Sequence, residues 1–384
     1  MTSSAPGGIA RVIPRDDGRS WHVAAYLAGR NDLEAELTRQ ACSLDAVARR
    51  VGDAVAVSVL LARPRRSRVR IGGGPPRPWD GDSGDPASLL TFARDASRVT
   101  PDRALALVIG SHGDGWSVRP RATSLAADDR SGAAITTPLL GRVVRELHRA
   151  RGRRLELLVL DACLMASVET LVEVADDVDV VVAPSTRTPR TGADHAGVVE
   201  ALAIGHHSGA EVDRAVPVPL AAAAWLARWR AAGLDARLGP TTVSAFATQG
   251  VPELVAALDA FGARLAGARD GGDARAIDAA RQDAVRTAPT RTDLGSLAAR
   301  IGGARLRAPA RHDLRAAART VRAVLEPGGP LVLASDGDAG GGLTVTLPRT
   351  GRPVDHRPEL LAAARISGWA SFLDSLCREP AAPA

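Results

Sequence analysis

Five short apolar runs punctuate the first half of the chain: Trp21–Leu27, Ala54–Leu61, Ala104–Ile109, Leu155–Leu160 and Val178–Ala183. Each is rich in Val, Ile, Leu or Ala and has no polar alternation, the pattern of a strand buried on both faces of a parallel sheet. The segments between them change period. Leu33–Arg50 is amphipathic, with Asn31 or Asp32 near its start, and helices are predicted from Pro86 to Ala96, from Thr136-Thr137-Pro138 to Ala150, and over Ser167–Ala175. Only the stretch from Arg63 to Asp85, with its Arg, Pro and Gly, reads as a long loop. Strands alternating with helices at this spacing predict an α/β fold with a mainly parallel sheet, right-handed crossovers and helices on both faces.

Beyond residue 184 the pattern loosens. Residues 184–197 form a polar loop bearing Pro and Gly, helices are predicted over 210–232 and 251–268, and Thr241–Ala247 reads as a strand between them. Alanine-rich helical segments fill 272–325. A late strand is expected at Gly342–Pro348, followed by a helix from Ile366 to Leu376 that buries Trp369, Phe372 and Leu376. The implied organisation is a flexible tail over 1–19, a main domain over 20–250, and a helical C-terminal region over 251–384 whose late strand packs on the core. No internal repeat is visible.

Composition narrows the classes. The 384 residues carry a net charge of +6, and all 49 basic side chains are arginine, scattered among 43 acids. With 3% aromatic residues there are few stacking platforms, so nucleic acid is not an expected partner. No apolar run has the length of a secretion signal or a membrane span, and the three cysteines, Cys42, Cys163 and Cys377, show no paired spacing. Those features predict a soluble, cytoplasmic protein with no membrane partner. Cys42 and Cys377, on amphipathic helices, are expected to be small core residues. The run Gly72-Gly73-Gly74 lacks the Lys-Ser/Thr ending of a phosphate loop and reads as a linker.

Two of the strands end in reactive residues. His112 follows Ala104–Ile109 in Gly110-Ser111-His112-Gly113-Asp114-Gly115-Trp116, and Cys163 follows Leu155–Leu160 in Asp161-Ala162-Cys163-Leu164-Met165-Ala166. Sites in open α/β sheets assemble beyond the carboxyl ends of the strands, so neighbouring strands would bring His112 and Cys163 to one crevice. A cysteine attacks as its thiolate and needs a partner for its proton, which an imidazole supplies. The amides of Gly113 and Cys163 are candidates for an oxyanion hole, and the dipole of the following helix would favour the anionic sulfur. Asp161, two positions before the cysteine, is expected on the same side of the strand. Trp116 is expected to anchor the histidine loop from beneath. His195, His206 and His207 read as solvated or capping residues.

These motifs together resemble the clostripain family of cysteine peptidases, relatives of caspases, gingipains and legumains. The run from Trp21 to Glu34 is similar to the family's opening strand and turn, Ser111–Trp116 to its histidine motif, and Asp161–Glu169 to its cysteine motif. Weaker likenesses continue at Ser244–Leu265, Asp293-Leu294 and Gly342–Pro348. The resemblance implies a caspase-like sheet, mainly parallel and flanked by helices, with a helix-rich C-terminal region. It also implies an endopeptidase with Cys163 as nucleophile and His112 as general base and acid, acting through a thioester acyl-enzyme. Asp161 would line the S1 pocket and select a basic P1 residue of a protein or peptide substrate, with arginine preferred. No cofactor is required, although calcium serves some relatives, and Asp128-Asp129 is the one adjacent acid pair near the active face. Relatives of this subgroup work as monomers. Some are activated by self-cleavage between the His and Cys strands, for which the candidates are Arg119, Arg121 and Arg130, or the cluster Arg149, Arg151, Arg153 and Arg154.

The chain departs from the family at a few positions. The loop after the Cys helix has lost most of its acids, leaving Asp194 as the candidate second wall of S1 and Arg187 or Arg190 as candidates to lie over Asp161 and neutralise it. Arg30 and Arg63 stand where the family favours acidic residues. The alternative reading is a catalytically inactive module that keeps the caspase-like fold for binding or regulation. A nucleotide-binding protein is disfavoured, since the first strand is followed by no glycine fingerprint.

Overall fold

The computed structural model describes residues 20–117, 124–207, 217–231, 241–336, 342–347 and 362–377; the tail predicted over 1–19 lies outside them. The apolar runs form strands because each has apolar residues to turn both ways. In β1 (Trp21–Ala28), where every residue is buried, Ala24 and Tyr26 enter the core on one face while Val23, Ala25 and Leu27 enter that on the other. α1 (Glu34–Val51) then buries Leu37, Ala41, Leu44 and Val47 on one stripe. After it come β2 (Val55–Ala62), β3 (Arg68–Arg70), β4 (Arg77–Pro78), α2 (Pro86–Val99), β5 (Ala104–Gly110) and α3 (Thr137–Arg151). α3 has a proline in its first turn and ends at Gly152, whose φ of 69° is the left-handed conformation that closes helices. The βα series concludes with β6 (Leu155–Asp161), α4 (Val168–Val174) and β7 (Val178–Pro184).

The remaining elements are α5 (His195–His207), α6 (Val218–Ala231), β8 (Val243–Ala247), α7 (Val251–Ala268), α8 (Ala274–Gln282), β9 (Arg286–Ala288), β10 (Arg291–Asp293), α9 (Leu294–Gly303), α10 (Ala308–Val324), β11 (Val332–Asp336), β12 (Thr344–Thr346) and α11 (Ser367–Cys377). Among the described residues the main sheet has the order β11-β8-β7-β6-β5-β1-β2-β3-β4. Its five central strands, β7-β6-β5-β1-β2, are parallel, and both flanks are antiparallel. Helices α1, α5 and α6 pack on one face, and α2, α3, α4 and the C-terminal helices on the other. The chain leaves β1 towards β2 by one face and β5 towards β6 by the other, so a crevice opens at the carboxyl ends of β1 and β5.

A second, three-stranded sheet, β12-β10-β9, braces this crevice. The Thr344 amide and hydroxyl both donate to the Ala166 carbonyl (3.0 and 2.9 Å), and the Thr346 amide donates to the Glu169 carboxylate (2.9 Å). These bonds tie the late strand to the segment just after the cysteine. The predicted α11 forms and buries Trp369, Phe372 and Leu376 as expected.

Several elements differ from expectation. The β3–β4 hairpin lies in the segment read as a loop, and β9–β10 interrupts the stretch read as helical; strands of two or three residues are too short to show a period of two. α5 begins inside the segment assigned to a polar loop, taking up its residues 195–197, and β11 adds an antiparallel strand to the sheet edge. Of the helix predicted over 210–232, the described part is α6. Cys42 and Cys377 are exposed, not core residues. Each directly follows a buried position, Ala41 or Leu376, and one residue of helix turns its side chain about 100° off that stripe.

His22 in β1 is buried between Thr100 Oγ1 (2.6 Å from Nδ1) and Ser58 Oγ (2.8 Å from Nε2). Burial, with help from the nearby Arg103, lowers its pKa from 6.5 to about 3. Between those values the unfolded chain binds a proton that the folded chain refuses, so stability is full above the unfolded pKa and falls as pH drops through the window. Denaturant unfolding at a series of pH values is expected to show a loss of up to about 1.4 kcal/mol per pH unit from this group below about 6.5, and His22→Gln is expected to flatten it.

Candidate active site

In the parallel pairing of β5 and β6, Gly110 lies opposite Asp161, and the Ser111 amide extends the ladder to the Asp161 carbonyl (3.2 Å). His112 and Cys163 each come two residues after that last paired position, on adjacent strands. The turns that follow are in close contact. A Cβ added to Gly113 would stand 2.5 Å from the Cys163 carbonyl oxygen and 2.9 Å from its nitrogen, so only glycine lets the histidine loop settle on the cysteine backbone. The backbone of the histidine loop at Gly113 is therefore in contact with that of Cys163.

The histidine loop is pinned from the small sheet. Arg291 of β10 donates to the carbonyls of Trp116 (3.1 Å) and Asp114, and its guanidinium lies 6.0 Å from the Trp116 ring centroid. Trp116 is buried and donates its indole N–H to Thr346, so it anchors the loop as expected. After Cys163 the backbone turns sharply. Leu164 has φ of 65°, a left-handed conformation that costs a non-glycine residue about 1–3 kcal/mol, and bonds from the Leu164 amide to the Thr186 carbonyl (3.0 Å) and from the Ala166 amide to the Pro184 carbonyl (2.8 Å) hold it there.

That turn corrects one expectation. Cys163 is not at a helix N-terminus: α4 starts only at Val168, behind its Ser167 cap, so the helix dipole is not what faces the sulfur. The polar partner of the half-buried thiol is Thr188, whose amide donates to Sγ at 3.3 Å and whose hydroxyl lies at 3.5 Å.

His112 is paired on its outer side. Its Nε2 lies 2.5 Å from Asp32 Oδ1 at the end of β1. Of Asn31 and Asp32, expected near the helix cap, neither caps α1, whose cap position is Leu33: Asn31 shapes the turn, its Oδ1 accepting from the Leu33 amide (3.0 Å) and its Nδ2 donating to the Ala28 and Ala127 carbonyls, and Asp32 faces the imidazole. The other Asp32 oxygen accepts from Arg190 (2.7 Å), whose Nε also approaches Glu36 (3.8 Å). Arg190 thus lies on Asp32 and not over Asp161, and Arg187 is exposed.

Asp161 is buried, and its Oδ2 accepts from the Ala193 amide (3.0 Å) and pairs with His195 Nε2 (2.9 Å). Trp225 donates its indole N–H to His195 Nδ1 (3.1 Å), so Nδ1 is an acceptor and the proton sits on Nε2, pointing at the carboxylate. His195 is therefore a buried partner of Asp161, not a solvated residue. The Asp194 carboxylate accepts from the Gly197 amide at the start of α5 (3.0 Å) and from Arg228 (3.5 Å). A cleft of about 260 Å³ lies alongside, walled by Glu36, Gln40, Gly192, Asp194 and His195 among others; Cys163 is not one of its walls.

Other candidates separate from the site. Arg30 is buried against Asp128 (3.1 Å), which also accepts from the Ser83 amide and hydroxyl, so Asp128 is taken up by a buried ion pair while Asp129 is exposed, and the two do not form an open acid pair. Among the described residues no three His, Cys, Asp or Glu side chains gather as a metal would need. Arg119 and Arg121 lie outside the described residues, as do the side chains of His206 and His207. Arg130 stands on an exposed turn. The cluster at 149–154 is at the amino end of β6, away from Cys163, with Arg151 on Glu156 (2.7 Å) and Arg154 on Asp179 (2.6 Å).

With a cysteine and a histidine on adjacent strand ends, comparison with known proteins becomes informative. The model of the clostripain family, peptidase family C11, matches residues 77–293. The chain belongs to the clostripain family. It is a cysteine peptidase, a hydrolase, on a caspase-like α/β fold. A secreted C11 cysteine protease from Bacteroides thetaiotaomicron, in complex with an irreversible peptide inhibitor, is similar over 92% of this chain and 99% of its own, with a TM-score of 0.63 and 15% identity. A second structure of a secreted C11 protease from that organism, called iotapain, gives the same coverage with a TM-score of 0.60 and 12% identity. An inactive zymogen C11 protease from Parabacteroides distasonis is similar over 96% of this chain and 100% of its own, with a TM-score of 0.58 and 13% identity. No curated protein matches the chain. The cytoplasmic location expected from the sequence is corrected by these findings: similar family members are described as secreted, so the fold and its free cysteines do not tie this clostripain-family peptidase to the cytoplasm. Among the described residues no helix is long and apolar enough to cross a membrane.

The close seat of Gly113 on Cys163 is directly testable. Gly113→Ala is expected to lower stability by about 1–3 kcal/mol in denaturant unfolding and to change the rate of Cys163 alkylation by iodoacetamide. Wild-type values of both would show that the two turns are not in contact.

Proposed function

We propose that this peptidase is an endopeptidase that cleaves after basic residues, arginine before lysine, through a Cys163–His112 dyad. The observation that carries the reading is the placement of both residues two positions past one paired step of adjacent parallel strands, with Gly113 seated on the cysteine amide. His112 takes the thiol proton, the thiolate attacks the scissile carbonyl, and the oxyanion is received by the amides of Gly113 and Cys163. Collapse of the tetrahedral intermediate passes the proton from His112 to the leaving amine and leaves a thioester on Cys163. Water, deprotonated by the same imidazole, then releases the acid product. No step draws on a metal or cofactor.

Asp161 is the acid for the P1 side chain. With Oδ2 held by the Ala193 amide and the His195 imidazole, Oδ1 is the oxygen left for a cation, and a buried carboxylate strengthens the pairing with a guanidinium. Asp194 stands in the wall of the adjoining cleft, but it shares its carboxylate with Arg228, which weakens it as a second acid for the same cation. Activation by cleavage at the exposed Arg130 turn, or at Arg119 or Arg121, fits a fold that also occurs as a zymogen, and a monomer is in keeping with a reading in which every residue given a role comes from one chain.

Fluorogenic peptides that vary only at P1 test this reading. Cys163→Ala and His112→Ala are each expected to abolish turnover with folding intact, and an irreversible P1-Arg peptide inhibitor is expected to label Cys163 in the wild type. Asp161→Asn is expected to lower kcat/KM for P1-Arg peptides by about 10- to 100-fold while Cys163 alkylation persists. A well-folded wild type that cleaves none of the panel and resists the inhibitor would favour a catalytically silent module.

A further inference from the structure

The dyad accounts for one nitrogen of His112, while the structure gives its other nitrogen a partner. We propose that Asp32 is the positioning residue of the catalytic imidazole: it holds the Nε2–H and leaves Nδ1 to exchange the proton with Cys163. This rests on the dyad reading above. The geometry is specific. Asp32 Oδ1 lies 2.5 Å from His112 Nε2, and the turn that presents it is fixed by the three hydrogen bonds of Asn31. It stands at the carboxyl end of β1, across the sheet's switch point from β5, so the crevice is lined by Asp32, His112 and Cys163 from three successive strands.

A carboxylate in this place does two things. It selects the tautomer with Nε2 protonated, and it stabilises the imidazolium that forms when the thiol proton arrives. The Asp32 pKa is lowered below its usual value, first by the hydrogen bond from Arg190 and then by that from His112, so the carboxylate carries its charge at neutral pH. Asp32 is 64% exposed, so water screens the pair and its effect is smaller than that of a buried triad carboxylate.

Arg190 sets the size of the effect. Its guanidinium takes Asp32 Oδ2 and the Asp32 carbonyl, and it belongs to the loop whose Thr188 amide rests on the Cys163 sulfur. It therefore competes for the charge that would otherwise act on His112. Among the described residues, Glu36 of α1 is reached through Arg190, Asp114 lies on the imidazole's own loop, and Arg291 of β10 bonds to that loop's carbonyls.

The test uses the full chain. Asp32→Ala is expected to lower kcat for a P1-Arg peptide on the order of 10-fold with KM little changed, and to move the alkaline limb of the pH–rate profile to lower pH, because the imidazolium loses its counter-charge. Asp32→Asn keeps an acceptor oxygen without the charge, so it is expected to recover part of kcat and none of the limb shift. Arg190→Ala is expected to move the same limb the other way. A change in kcat of less than about 2-fold in Asp32→Ala, or an unmoved limb, overturns the proposal. Should the wild type hydrolyse no peptide, NMR titration of the His112 ring in Cys163→Ala still decides the matter. A midpoint moved acidward by Asp32→Asn supports the pairing, and an unmoved midpoint overturns it while leaving the failed dyad reading as a separate result.

Discussion

The parallel register between β5 and β6 is the constraint on which the site depends. Gly110 opposite Asp161 fixes where each strand ends relative to its neighbour, and so fixes how far His112 and Cys163 project beyond the sheet. A slip of one residue would turn every following side chain to the other face, moving Leu107 and Ile109 out of one core and Ala106 and Val108 out of the other. Register is held by burial on both faces, which makes the relative placement of His112 and Cys163 a by-product of core packing. No loop has to find it.

What the sheet does not hold is held by a second layer of contacts from distant sequence. Arg291 and Thr346, both on the small C-terminal sheet, secure the histidine loop through Asp114 and Trp116, while Thr344 secures the segment after the cysteine through Ala166. The two turns are thereby clamped from the same side by neighbouring strands β10 and β12, which pair with one another. This explains why a backbone as strained as that of Leu164 persists: the bonds at Leu164, Ala166 and Ser167 over-determine the turn.

The charge arrangement around the site is organised by exclusion. Arg30, standing where the family favours an acid, is drawn inward to Asp128, and Arg190 is drawn across the crevice to Asp32 and Glu36. Asp161 has other partners: its Oδ2 accepts from the Ala193 amide and pairs with His195 Nε2, which orients the carboxylate.

The sequence by itself determined the βα series, the parallel core and the residues at the ends of its strands. Those features rest on local periodicity: a strand such as Ala104–Gly110 carries apolar residues for both faces in one short run, and the cysteine and histidine motifs are contiguous. Residues such as Trp369 and Phe372 were legible for the same reason, being spaced at helical intervals. The short strands β3, β4, β9 and β10 were not, because two or three residues show no period. Nor were the partners of the site. Asp32 beside His112, Thr188 on the Cys163 sulfur and His195 beneath Asp161 are pairings across 80, 25 and 34 residues of chain. Spacing along a chain carries no information about such contacts; they exist only once the crossovers have stacked the strands and brought their loops to one edge of the sheet.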